Sequence, residues 1–190
     1  MFFLFLPLVG SNPTVYSDSS RVNAHPSSSD IIWLSPIYCM TVKVVGNWEL
    51  SWNTPIKEAE LWNFPLRAYQ VSEWYMWPVS GIKHSEWRRV NLHERHDLNE
   101  ILEENQDLKR VYLEPANKAF TDVKPVMLTD YEHPKDVLYI FGSAHYNAAL
   151  IHQREEDDVV MVPNRENSGV LWPHQVLVAL FYDRLIKGWQ

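Results

Sequence analysis

Two short stretches place polar backbone beside small side chains, in the pattern of a small-molecule cradle. Val137 to Phe141 is apolar and closes on Gly142-Ser143, and Val159 to Val162 is apolar and closes on Pro163. Apolar runs without alternation predict strands covered on both faces, as in a parallel sheet. Gly142 and Pro163 then open loops on one edge of that sheet, where open α/β sheets bind ligands. His145 falls in the first of these loops, where a histidine can accept a proton, although a solvent-exposed loop histidine is the commoner case. His93 and His96 stand three apart, but no further ligands follow at zinc spacing. Trp74, Trp77 and Trp87, with Arg88 and Arg89, could stack nucleic-acid bases, but nine tryptophans more often pack cores. Arg154 to Asp158 reads as a solvated face rather than a metal site.

The elements that would position these groups alternate in type. Thr41 to Val45 predicts a strand and Gly46 a turn. Thr54-Pro55 predicts a helix start, running to about Asn63 and ended by Pro65. Tyr69 to Met76 predicts a second strand and Arg110 to Leu113 a third. Between them, Asp97 and Glu100 have capping-box spacing ahead of the apolar stripe Leu98, Ile101, Leu102. Val123 to Leu128 is expected as a short helix. Pro173 suits the first turn of a last helix, whose Val176, Leu177, Leu180, Phe181, Arg184 and Leu185 share helical spacing. Gly188 stops that helix, with Arg184 and Lys187 near the negative end of its dipole. About five strands alternating with helices indicate an α/β fold.

Composition bounds the rest. A chain of 190 residues fits one domain with an appendage, and a net charge of -7 argues against a broadly basic nucleic-acid binder. A single cysteine, Cys39, excludes an internal disulfide and a cysteine metal cluster. Met1 to Gly10 is apolar but lacks the basic start and cleavage site of a signal peptide, and is too short to span a membrane. Ser11 to Asp30 has the composition of a disordered linker. Residues 1–39 therefore read as an N-terminal extension and 40–190 as the folded domain, with Met40 at its start.

From Met40 to Gln190 the order of these pieces resembles the SPOUT superfamily, and within it the SpoU-like branch of trefoil-knot RNA methyltransferases. Asn53 stands where that branch has the asparagine of its first motif, and Phe64 and Leu66 match the apolar pair after the first helix. His133-Pro134-Lys135-Asp136 matches the turn before the penultimate strand. Leu138 to Ser143 looks like the second motif, Met161-Val162-Pro163 like the third, and Leu171 falls at its loop leucine. The resemblance implies a mostly parallel α/β sheet with helices on both faces and a C-terminal knot. It also implies S-adenosylmethionine as cofactor, held by Phe141, Gly142, Ser143, Val162, Pro163 and Leu171. The expected activity is ribose 2′-O-methylation of tRNA or rRNA by a cytoplasmic homodimer joined through the C-terminal helix, with no membrane partner.

The chain departs from the motifs at their catalytic positions. Pro55 and Ala59 replace the glycine and catalytic arginine of the first motif, and Ala144 replaces the glutamate of the second. Val170-Leu171-Trp172 stands for the Ser-Leu-Asn of the third. Asn53 stays as a catalytic candidate, and Arg67 or Lys57 is a substitute for the arginine. The alternative is a catalytically degenerate SPOUT-fold protein that binds S-adenosylmethionine, RNA or a protein without transferring a methyl group.

Overall fold

A computed structural model describes residues 40–48, 55–71, 73–79, 91–115, 125–143, 146–162 and 171–188. The extension expected over residues 1–39 lies outside them, as do Asn53, Trp87, Ala144, His145 and Pro163. No helix among the described residues is long and apolar enough to cross a membrane.

Seven strands form one sheet: β1 (Val42–Asn47), β2 (Glu73–Trp77), β3 (Asn91–Glu94), β4 (Lys109–Pro115), β5 (Val126–Met127), β6 (Val137–Phe141) and β7 (Asp158–Val162). Their order is β3-β2-β1-β6-β4-β7-β5, and every neighbouring pair is parallel. Helices α1 (Pro55–Ala68) and α4 (Pro173–Ile186) cover one face, and α2 (Leu98–Glu104) and α3 (Ala148–His152) the other.

The centre of the sheet shows why β6 reads as an unbroken apolar run. Val137, Tyr139 and Phe141 pack toward α1 and α4, while Leu138 and Ile140 pack toward α2 and α3. All five are buried, as a strand with helices on both sides requires. Burying Leu138 and Ile140 alone contributes about 3–6 kcal/mol. On β1, Gly46 is required by packing, because a Cβ there would meet Met76 Sδ at 2.6 Å and the Trp62 ring at 3.0 Å.

Several local expectations are corrected. Pro65 does not end α1; the helix runs through it to Ala68. An internal proline costs about 3 kcal/mol. Here Ala59, Trp62 and Leu66 form one fully buried stripe at helical spacing, and keeping Leu66 and the helix end in the core offsets that cost. The end is a Schellman motif: Val71 N donates to Leu66 O, Gln70 N donates to Arg67 O, and Gln70 takes φ 58°. This displaces the second strand from residue 69 to Glu73, and Tyr69 stacks on Phe181 instead. β3 and β5 were not expected. Among the described part of the helix expected over 123–128, Val126–Met127 is a strand and Leu128–Asp130 a 3₁₀ turn. α3 was likewise unforeseen. Trp74 and Trp77 are core residues, so neither offers a face to a base.

Other expectations hold. Asp97 Oδ1 accepts from Glu100 N at 3.2 Å, with Glu100 reaching back to His96 N at 3.4 Å. α4 begins at Pro173, and Gly188 stops it with φ 85°.

The C-terminal end of α4 is locked to the segment entering β6. Arg184, only 3% exposed, donates to Pro134 O, Lys135 O and the Tyr139 hydroxyl. His133 bridges the Tyr139 hydroxyl at 2.7 Å and Asp183 Oδ2 at 2.9 Å. The Asp183 carboxylate only accepts, so His133 Nε2 carries the proton and the tyrosine donates to Nδ1. Lys187 pairs with Asp183 at 2.7 Å and donates to the carbonyls of Leu128, Thr129 and Tyr131.

Candidate functional site

The C-terminal edge of the central strands carries the candidate residues that the structure brings together. Ile140 on β6 pairs with Val45 on β1 and with Tyr112 on β4. Two residues further along the same three strands stand Asn47, Gly142 and Glu114. Since side chains alternate along a strand, this row faces the α2 and α3 side, with Val45, Ile140 and Tyr112 beneath it. Asn47 and Glu114 are both buried.

Gly142 lies between them, and its missing side chain is used by the chain itself. A Cβ there would fall 2.2 Å from the Tyr146 carbonyl oxygen. That carbonyl accepts from Ser143 N at 3.0 Å, and Tyr146 N donates back to Ser143 O at 3.3 Å, closing a tight turn. Glu114 Oε1 accepts from Ala149 N at 3.3 Å in the first turn of α3, while the Asn147 side chain caps Leu150 N. The Tyr146 ring packs edge-on against Trp77, and its hydroxyl meets His152 Nε2 at 2.5 Å. Burial holds His152 below its usual pKa.

Asn47 is the anomaly of the row. Among the described residues it alone has both side-chain polar atoms buried without a hydrogen-bond partner. A buried, unpaired polar atom costs about 1–3 kcal/mol. A partner for this carboxamide would remove that cost.

The other candidates are distributed as follows. Phe141 is a core residue, set edge-on to Trp62 with centroids 5.1 Å apart, and contributes backbone rather than a ring to the edge. Val162 ends β7 opposite Pro115, on the α4 side, partly buried. Leu171 stands exposed two residues before α4. Ala59 is fully buried on the inner face of α1, so an arginine there would have to enter the apolar core. Arg67 is exposed in the last turn of α1. Twelve residues of helix, about 18 Å, carry it away from Pro55 and toward the opposite edge of the sheet. Sequence reasoning missed Asn47 and Glu114. Each follows a strand's apolar run by position alone, and only the strand order places them beside Gly142.

No protein-family model matches this sequence, and no curated protein matches it either. Solved structures do match in shape. An RNA 2′-O ribose methyltransferase superposes with a TM-score of 0.57 at 10% identity, over 85% of this chain and 61% of that one. A protein studied for 2′-OH methylation of C/U34 on tRNA gives 0.55 at 12%, over 86% of this chain and 100% of that one. The chain has the parallel α/β fold of these methyltransferase structures. TrmJ from Z. mobilis shares this fold, with a TM-score of 0.50 at 13% identity, over 76% and 67% of the two chains. This fold brings the ends of β6 and β7 to the same edge of the parallel sheet, with β4 between them.

Proposed function

We propose that the protein is an S-adenosylmethionine-dependent RNA methyltransferase acting on a ribose 2′-hydroxyl of tRNA or rRNA. The observation that carries this reading is a SPOUT fold whose β6 ends in Phe141-Gly142-Ser143, one strand away from the row's buried carboxamide and carboxylate. The residues present fit such a cofactor: an unpaired amide, an acidic group and apolar Val162 and Leu171 suit a cationic ligand with an aromatic base. When bound, the cofactor supplies an electrophilic methyl group on positive sulfur. Gly142 and Ser143 offer backbone groups at the site, and Val162, Pro163 and Leu171 the walls for the adenine. Asn53 is the catalytic candidate retained from the motif. We place Arg67, in the last turn of α1, outside the proposed site.

The partner surface follows from α4. Val178, Tyr182, Leu185 and Ile186 are exposed on its outer side, with Phe64 and Leu61 exposed on neighbouring α1. We read this apolar face as the contact with a second copy, giving a homodimer through α4. A cytoplasmic location suits a protein that modifies RNA.

Calorimetric titration with S-adenosylmethionine, followed by transfer of labelled methyl to bulk RNA, tests the reading. Micromolar binding with label retained in RNA after protease treatment is the expected result. Binding without label would instead identify a degenerate SPOUT-fold binder, and no binding would reject both.

A further inference from the structure

We propose that Trp172, at the start of α4, is a stacking platform for an unpaired base of the RNA that carries the methylated ribose. This inference rests on the reading above. Of the described tryptophans, Trp48, Trp62, Trp74 and Trp77 are at most 5% exposed. Each has a partner inside the protein: Trp48 donates to Pro78 O, Trp62 and Trp74 stack on each other, and Trp77 meets the Tyr146 ring. Trp172 is 41% exposed, and Leu171 before it 37%. Leaving so large an apolar ring in water forgoes the gain that burial gives the other four.

The helix does not account for this residue. An indole has a donor and no acceptor, so it cannot accept from the free N–H groups of the first turn. Asparagine, which the SpoU-like motif has at this place, is among the best residues for that task. The backbone of Trp172 is nonetheless fixed. Its N–H donates to Gln175 Oε1 at 2.9 Å, and its carbonyl accepts from Gln175 N at 2.9 Å and Val176 N at 3.0 Å. The ring is thus mounted on a rigid helix start.

Its place in the fold selects the occupant. Arg184, in the last turn of α4, is bound to the carbonyls of Pro134 and Lys135 ahead of β6. Twelve residues of helix, about 18 Å, separate it from Trp172, which puts the indole at the opposite edge, where β6 and β7 end. Leu171 is an adenine wall in the reading above, so a base on Trp172 lies beside the methyl donor. A protein contact buries about 800 Å² on each partner. The next exposed apolar residue of α4 is Val178, about 9 Å further along the helix, so Leu171 and Trp172 make a patch nearer the size of one base. A flat π face suits any base, and such stacking is worth about five- to 150-fold in affinity.

The test uses the full chain and a fluorescein-labelled single-stranded RNA of mixed sequence, with the same RNA annealed to its complement as control. By anisotropy, Trp172→Ala and Trp172→Leu are each expected to lose at least fivefold on the single strand. On the duplex, whose bases are already stacked, both should lose less than twofold. Trp172→Tyr keeps a flat ring and is expected to stay within twofold of the wild type on the single strand. Affinity for S-adenosylmethionine by calorimetry is expected to be unchanged in all three. Wild-type affinity in Trp172→Leu would make the contact merely apolar, and wild-type affinity in Trp172→Ala would leave the ring no role; either overturns the inference. A matching loss on S-adenosylmethionine would assign the ring to the donor, and a dimer lost in Trp172→Ala by light scattering would assign it to a second copy; both also overturn it. A wild type that binds the single strand through Trp172 but transfers no methyl group would remove the methyltransferase reading and leave the platform. Methyl transfer by the wild type, with unchanged RNA binding in the variants, would do the reverse.

Discussion

Gly142 shows how one missing side chain sets the local design. Its Cβ position is occupied by the chain's own carbonyl, so Gly142→Ala must push the Tyr146 turn outward. Overpacking of this kind costs about 1–3 kcal/mol, readable as a lower urea midpoint, and ligand affinity is expected to fall with it. His133 carries a second prediction. Burial, the largest cause, holds its pKa below the usual value, and Arg184 and Lys187 add to that, against the opposing pull of Asp183. Tyr131 and Tyr139 complete its surroundings. A histidine with a depressed folded pKa binds fewer protons folded than unfolded. Its contribution is therefore present above the unfolded pKa of about 6.5 and is lost as pH falls through the folded value. His93 and His152 shift in the same direction, so they add to the slope. The urea midpoint is expected to drop between pH 7 and pH 5, and to drop less in His133→Gln. An equal drop in both proteins would show that His133 is not among the groups responsible.

At the scale of elements, α4 depends on its last turn as much as on its apolar stripe. Arg184→Ala would leave the carbonyls of Pro134 and Lys135 short of a donor inside the protein. The expected cost is about 3–5 kcal/mol by denaturant unfolding, as for other broken buried charge networks. Arg184→Lys should recover little of it, because a compact ammonium does not reproduce the planar fork whose two nitrogens divide these acceptors. The sequence marked Arg184 only by helical spacing and its nearness to a dipole end. Its burial depends on His133 and Tyr139, which are distant in the chain. Strands β1, β4, β6 and β7 were legible because their apolar runs reflect burial on both faces. β3 and β5 were not: Asn91-Leu-His-Glu94 is polar and partly exposed, and Val126–Met127 has two residues. The end of α1 was misplaced because a local proline penalty was weighed without the burial of Leu66 beyond it.

For the whole molecule, the outer side of α4 sets the expected assembly. Tyr182→Glu places a charge in the middle of its exposed apolar row and should convert the proposed dimer to a folded monomer. Light scattering after size exclusion checks this, with circular dichroism confirming retained helix. A wild-type monomer would remove the premise. Gly142 was legible in the sequence as a strand end, because it directly follows the apolar run Val137–Phe141. Asn47 and Glu114 were invisible there, since their meeting depends on β6 lying between β1 and β4. That same insertion governs how the chain is made. Thr41 N donates to the Asp136 side chain across 95 intervening steps of sequence, just where β6 joins β1. At a synthesis rate of about 5–20 residues per second, the ribosome needs roughly 5–20 s after β1 to deliver the strand that fills the gap. Late in that interval, once β4 is made, the nascent protein has β1 and β4 but nothing to bridge them, so the middle of the sheet forms last.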